Sequence, residues 1–251
     1  QKLELWDESL QTYNNRLQND PTNEVFLRGK MNCLEKLSRY KDLEEFIETT
    51  YNFESEIDND DSHQPDKIKS GLRFAASAAY HLFKMDKFSK IAEQLDDSIP
   101  DNLFYIIILK IMKNDLDAAE KLITKLNSIY ASQLFPAISD EYDKCFNDFC
   151  QASLLSEIQE IIEMKRNENK LYSAVPSERE VAQKEVEKIC NEWKDRFEQL
   201  RSTPKALFEM ICVRSLYLNQ KQLMPYFYAF LEYEASAAYY AYQQEHFNTL
   251  T

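Results

Sequence analysis

The sequence predicts an all-α protein, an α-solenoid of stacked helical hairpins, and three observations carry that prediction. Apolar residues recur at intervals of three and four along most of the chain. Only two glycines, Gly29 and Gly71, occur in 251 residues, far fewer than the turns of a β-rich or α/β protein require. The stretch Val25–Leu43, VFLRGKMNCLEKLSRYKDL, reads as two short amphipathic helices joined by a tight corner. Leu27, Met31 and Leu34 form one stripe, with Phe26, Cys33 and Leu37 beside it. Ser38-Arg39-Tyr40 interrupts the pattern, and Leu43, Phe46, Ile47 and Tyr51 begin a second stripe. Units of this kind cannot bury their apolar faces alone, so they stack.

The corner recurs at His81–Ile91, HLFKMDKFSKI, where Phe88 takes the place of Tyr40, and at Leu109–Ala119, LKIMKNDLDAA, with Leu116 at the corner. Before the first hairpin, residues 3 to 18 form a helix on Leu3, Trp6, Leu10, Tyr13 and Leu17. Pro21 stops it, and Thr22 or Asn23 can cap the next. Ser70–Phe83 is a helix whose Ala75, Ala76, Ala78 and Ala79 allow close approach of a neighbour, and Lys87–Leu95 completes that hairpin. Asn102–Met112 with Leu116–Tyr130 makes a third. Ser132–Ala152 with Leu154–Lys165 makes a fourth, with Pro136 near its start, where proline is tolerated. Arg166–Pro176 reads as a loop, and Ser177 with Glu180 as a capping box opening a helix to about Leu200. Ala206–Leu218 is a further amphipathic helix. A tyrosine-rich segment from Gln220 to about Phe247 closes the pattern.

Hydrophobic residues make up 44% of the chain, enough for a sizeable core. A net charge of −13 argues against a nucleic-acid surface and against docking on an anionic membrane. Leu103–Leu109, the longest apolar run, is far short of the ~20 residues of a membrane span. The five cysteines contain no C-x-x-C pair and mostly fall on apolar stripes, which suits free thiols in a reducing compartment. The chain opens at Gln1 in mid-pattern, as an internal segment of a longer protein would.

Catalytic signatures are scarce. Two glycines cannot supply a G-x-G-x-x-G or Walker A loop or a G-x-S-x-G elbow, and no H-E-x-x-H occurs. His63, His81 and His246 are scattered, and His81 on an alanine-rich helix reads as a packing residue rather than a general base. The acidic stretch from residue 52 to 65 places Asp58, Asp60 and Ser62 at alternate positions. It nevertheless carries His63 where a calcium loop needs glycine and Lys69 where it needs glutamate, so it reads as a solvated loop. One basic cluster stands out: Lys144, Lys165, Arg166, Lys170, Arg179, Lys184 and Lys188. It is either ordinary surface lysine paired with nearby glutamates or a pocket for a polyanion such as an inositol phosphate.

Several of these runs resemble one family. LRGKMNCLEKLSRYKDL (Leu27–Leu43) after Asp20-Pro21 resembles the start of a repeat in the FAT domain of target-of-rapamycin (TOR) kinases. RFAASAAYHLFKMDKF (Arg73–Phe88) and IPDNLFYIIILKI (Ile99–Ile111) are similar to the next helices of that domain. EYDKCFNDFCQASLLSEIQEIIEMK (Glu141–Lys165) resembles the family without a gap. Trp193, Arg196 and CVRSLYL (Cys212–Leu218) are similar to a later helix pair. The resemblance implies that residues 1–231 are a FAT-domain segment of tetratricopeptide-like repeats within a larger Ser/Thr kinase, with 232–251 a continuing helix that departs from the family pattern. It implies no catalytic residue and no required cofactor here, since no H-R-D or D-F-G occurs. It further implies a kinase domain elsewhere in the same parent chain, other subunits of a TOR-type complex as partners, and a cytoplasmic location, at endomembranes through those partners. By position, Lys144, Lys165, Lys170 and Arg179 correspond to basic residues through which the family's FAT region binds inositol hexakisphosphate. Two other readings stay open: a free-standing repeat adaptor, and the FAT segment of another related kinase or pseudokinase.

Overall fold

The computed structural model describes residues 2–51, 66–137, 142–171, 175–199 and 204–218, and among them every regular element is helical. Ten helices occur in order among the described residues: α1 (Lys2–Asn19), α2 (Glu24–Lys36), α3 (Tyr40–Tyr51), α4 (Asp66–His81), α5 (Met85–Ala92), α6 (Pro100–Met112), α7 (Leu116–Ala137), α8 (Tyr142–Leu171), α9 (Pro176–Gln199) and α10 (Pro204–Arg214). The chain divides into two compact units, Gln1–Leu122 and Ile123–Thr251.

The first unit is a stack of hairpins, and its corners share one local geometry. Ser38, Phe83 and Asn114 all adopt left-handed backbone conformations, with φ of 56°, 56° and 59°. At each corner two N–H groups fold back on the helix just ended. Ser38 donates to the Glu35 carbonyl and Arg39 to Leu34; Phe83 donates to Tyr80 and Lys84 to Ala79; Asn114 donates to Ile111 and Asp115 to Lys110. These are Schellman closures, which satisfy the carbonyls that a helix end leaves over. The next helix starts one residue later: the carbonyls of Arg39, Lys84 and Asp115 accept from Leu43, Phe88 and Ala119. Those last three residues are fully buried. Phe88 therefore occupies the register of Leu43, not that of Tyr40. Met85 holds Tyr40's place, and Leu116 holds it at the third corner, as expected. Aromatic character misled the sequence alignment of the corners; the backbone register settles it.

Between the hairpins, α4 does most of the packing, lying against α2, α3, α5 and α6. Its predicted alanine face is buried as expected, and Tyr80 on α4 meets Phe88, Phe104 and Tyr105 at ring-centroid distances of 5.6 to 6.3 Å. Arg73 on α4 makes a bidentate contact with Glu35 on α2, at 3.0 and 2.9 Å, and lies over the Phe74 ring. Lys84 and Lys87 from the second hairpin reach Glu44, and Lys87 also reaches Glu48, on α3 of the first. Asn23 caps α2, its Oδ1 accepting from the N–H groups of Val25 and Phe26. Gly29 is fixed by a neighbour: a Cβ there would lie 2.4 Å from the Tyr13 ring of α1.

The second unit contains α8, α9 and α10, with α9 and α10 both packed on α8. Three boundaries differ from expectation. α7 runs on to Ala137, so Pro136 sits in its final turn instead of opening a new helix. α8 is one helix of 30 residues, continuous through Ala152–Leu154, where a hairpin turn was expected. It also absorbs Arg166–Leu171. At the start of α9, Pro176 is the first helical residue and Arg179 N–H donates to the Val175 carbonyl at 3.3 Å, so Ser177 lies inside the helix and cannot be its cap. Proline at a first helical position has no N–H to leave unsatisfied. The acidic stretch at 52–65 and the tyrosine-rich segment beyond residue 218 lie outside the described residues.

Candidate functional site

Most of the basic cluster lies on α8 and α9. α8 ends and α9 begins around Lys170 and Arg179, and the two helices pack together. Lys165 is half-buried on α8, while Lys170 and Arg179 are exposed. Lys170 Nζ donates to Asn167 Oδ1 at 2.9 Å, and Asn167 Nδ2 in turn donates to Glu185 Oε2 on α9 at 2.9 Å. This buried asparagine ties the end of α8 to α9 and holds Lys170 in place. Lys188, also exposed, lies 3.7 Å from Glu192 in a surface pair.

Lys144 is set apart. It belongs to the first turn of α8, and its side chain lies outside the described residues. Lys165 stands 21 positions further along the same unbroken helix, about 31 Å away at ~1.5 Å per residue. One small polyanion cannot touch both. The expected convergence of the two rested on a turn between them, and α8 has none.

The structure shows a second constellation that the sequence did not single out. Glu157 and Glu160 on α8 face Trp193 and Arg196 on α9 and Arg214 on α10. Glu157 and Arg214 have side chains 1% and 0% exposed and meet through two hydrogen bonds, Nε to Oε2 at 3.1 Å and Nη2 to Oε1 at 2.8 Å. Arg214 Nη2 also donates to the Trp193 carbonyl at 2.8 Å, and its guanidinium lies 5.0 Å from the indole centroid. Trp193 Nε1 donates to Glu160 Oε2 at 2.7 Å. Arg196 pairs with Glu160 and, at 3.4 Å, with Glu157. Burial lifts the Glu157 carboxyl above the ordinary glutamate range, against the opposing pull of Arg214 and then Arg196. The signal was present: Glu157 lies among Leu154, Leu155, Ile158, Ile161 and Ile162, on the apolar face of α8. A carboxylate there requires a cation from another helix.

This network has the chemistry of a clamp. Each acid is held by two or more donors, and the carboxylates serve to join three helices. Among the described residues no cluster of His, Cys, Asp or Glu is arranged to hold a metal ion. Cys33 and Cys212 are buried, and burial raises both thiols, Cys212 strongly, which makes them inert as nucleophiles. His81 is buried as well, its Nδ1 bonded to the Ser77 carbonyl at 2.7 Å. No helix among the described residues is long and apolar enough to cross a membrane.

An all-helical fold among the described residues, with hairpins in the first unit and with α8, α9 and α10 joined by internal salt bridges in the second, is the setting for the family match. The FAT domain family matches residues 72–250, so the chain belongs to that family. Individual relatives are serine/threonine-protein kinases. The chain is 23% identical to serine/threonine-protein kinase TOR of Oryza sativa subsp. japonica over 87% of its own length and 9% of that relative's. It is 23% identical to TOR2 of Saccharomyces cerevisiae over 66% of its length and 6% of the relative's, and 24% identical to mTor of Drosophila melanogaster over 72% and 7%. The chain thus spans less than a tenth of each of these three proteins. The buried network lies on residues that carried the resemblance in the sequence: LLSEIQEIIEMK holds Glu157 and Glu160, and Trp193, Arg196 and Arg214 are their partners.

Proposed function

We propose that this chain is a non-catalytic scaffold segment of a TOR-like Ser/Thr protein kinase, which clamps and regulates a kinase domain located elsewhere in the parent chain. The FAT match over residues 72–250 carries this reading. The physical support is that ion pairs join the helices within each unit, Arg73–Glu35 in the first and the buried Glu157–Arg214 in the second. Such a stack can hold the lobes of a kinase in one arrangement and bias their equilibrium when a partner binds it. In this reading the other subunits of a TOR-type complex are its external partners, its location is cytoplasmic and at endomembranes through those partners, and residues 1–231 form the repeat segment, with 232–251 outside it.

The test uses the full-length parent kinase. Leu34→Asp and Phe88→Asp place a charge at positions buried in the first unit. Both variants should raise kinase activity as the restraint loosens. Leu82, which belongs to the same corner, is only half-buried and would make a weaker probe. Unchanged activity, with limited proteolysis showing that the segment has unfolded, would overturn the reading.

The same reading includes a polyanion seat for inositol hexakisphosphate at the α8–α9 junction, on Lys165, Lys170 and Arg179. The support is that three cations lie near one hairpin end, where the Asn167–Glu185 bond holds the two helices together. A thermal melt of this chain titrated with inositol hexakisphosphate should show a rising midpoint. A Lys165→Glu/Lys170→Glu variant should abolish the rise, and Lys144→Glu should preserve it.

A further inference from the structure

Asn167, near the end of α8, is only 6% exposed, and asparagine is mostly a surface residue. A buried amide needs a partner at each of its two ends. This one has both: Nδ2 donates to Glu185 Oε2 on α9, and Oδ1 accepts from Lys170 Nζ, each at 2.9 Å. The reverse orientation would set an NH2 group against an ammonium and a carbonyl against a carboxylate, so the amide has one way to lie.

The amide therefore stands between an acid and a base. Among the described residues no carboxylate, Glu185 included, comes within ion-pair distance of Lys170 Nζ. A neutral amide holds the ammonium through one hydrogen bond and cancels none of its charge. Glu185, for its part, gives an oxygen to the amide instead of to the lysine. In a direct lysine–glutamate pair, an incoming anion would have to displace the carboxylate before it gained a charge-assisted bond. Ordering a loose lysine also costs rotamer entropy, and the bond to Asn167 meets part of that cost before any ligand arrives. Lys170 is thus both oriented and uncompensated.

We infer that Asn167 is a positioning residue for anion binding at the α8–α9 junction: it orients the Lys170 ammonium and keeps Glu185 from neutralising it. This inference rests on the polyanion seat proposed above and gives a part in it to a residue that carries no charge. Asn167 acts through Lys170 and makes no contact with the anion.

The experiment moves one charge. Asn167→Asp combined with Glu185→Gln preserves the net charge and a hydrogen bond between the two positions, because the glutamine amide can donate to the aspartate. It also sets a carboxylate directly against Lys170. Calorimetric titration of this chain with inositol hexakisphosphate should show binding about tenfold weaker in the double variant, the loss of one charge-assisted contact. The melting midpoint without ligand should change little. Equal affinity in the native chain and the double variant would overturn the inference and leave the seat standing. Absence of binding by the native chain would overturn the seat, and the inference with it. Should the double variant fail to fold, a second pair decides the matter. Asn167→Ala should weaken binding severalfold in the native background and have no effect in a Lys170→Met background. Equal weakening in both backgrounds would make Asn167 a purely structural residue and overturn its positioning role.

Discussion

The imidazole of His81 lies flat on the phenol ring of Tyr40, centroids 4.1 Å apart and planes within 6°. One ring closes α4 and the other opens α3, so the stack joins the end of the second hairpin's first helix to the corner of the first hairpin. Both residues are buried. Tyr40→Ala should cost about 3 kcal/mol, as truncation of a buried aromatic does. The double-mutant cycle with His81→Ala should return a coupling of ~1 kcal/mol, the part owed to ring stacking. Denaturant unfolding of the four proteins measures it; strictly additive losses would show that the rings share a site without interacting.

Glu157 and Arg214 should prove strongly non-additive. Glu157→Leu leaves the buried guanidinium with neither a counter-charge nor its hydrogen-bond acceptors, and a loss of about 3–5 kcal/mol is expected. Glu157→Met combined with Arg214→Met removes both charges and should recover most of that loss. Burial raises the Glu157 pKa in the fold, so ionising this carboxyl is harder there than in the unfolded chain. Its own contribution to stability is therefore fully present below the unfolded glutamate pKa and declines as pH rises through the higher folded value. A native-minus-Glu157→Gln difference in stability, tracked from pH 4 upward, should carry that downward slope.

Ser38 occupies a left-handed conformation that L side chains adopt at a cost. Ser38→Gly relieves it, while glycine's greater freedom in the unfolded chain takes back part of the gain. A net stabilisation of ~0.5 kcal/mol is expected, with Ser38→Ala giving none. Thermal melts of the three proteins distinguish these outcomes.

Lys30 gives the opposite pH signature to a paired lysine. Its folded pKa is depressed, so the unfolded chain holds the proton more tightly. Stability contributed at this position is lowest where the amine is charged in both states and rises with pH as the folded amine loses its proton first. Solvent screens this half-exposed group, so the effect is small. Lys30→Met should then stabilise the chain slightly at neutral pH, by up to ~0.5 kcal/mol, and the advantage should shrink as pH rises and the folded amine loses its proton. A stabilisation that did not change with pH would assign the effect to packing.

Periodicity made the helices legible, and the alanines of α4 announced the close packing that the structure shows. Corners were legible by position but not by register. Phe88 attracted the alignment because it is aromatic, whereas the shared feature is a backbone angle at Ser38, Phe83 and Asn114, three residues with no common chemistry. The paucity of glycine made the left-handed turns hard to see, since glycine is their usual mark. The turn expected between Ala152 and Leu154 is absent, because a long helix packed by its neighbours accommodates these residues. The Glu157–Arg214 pair joins residues 57 positions apart, and pairing at that range has no local trace. Lys144, Lys165, Lys170 and Arg179 were nominated together by charge and by the family resemblance, and the unbroken course of α8 sets Lys144 apart from the other three.

The three Schellman corners are unevenly spaced: Phe83 lies 45 residues after Ser38, and Asn114 lies 31 after Phe83. Yet each corner starts its next helix in the same way, with a fully buried residue five positions after the left-handed turn. The turn therefore acts as a punctuation mark that resets the reading frame of the stack. Residues can be gained or lost between marks without shifting the phase of the next helix, because each helix takes its bearing from the mark immediately before it. The helices between corners can thus differ in length, provided that the commas are kept.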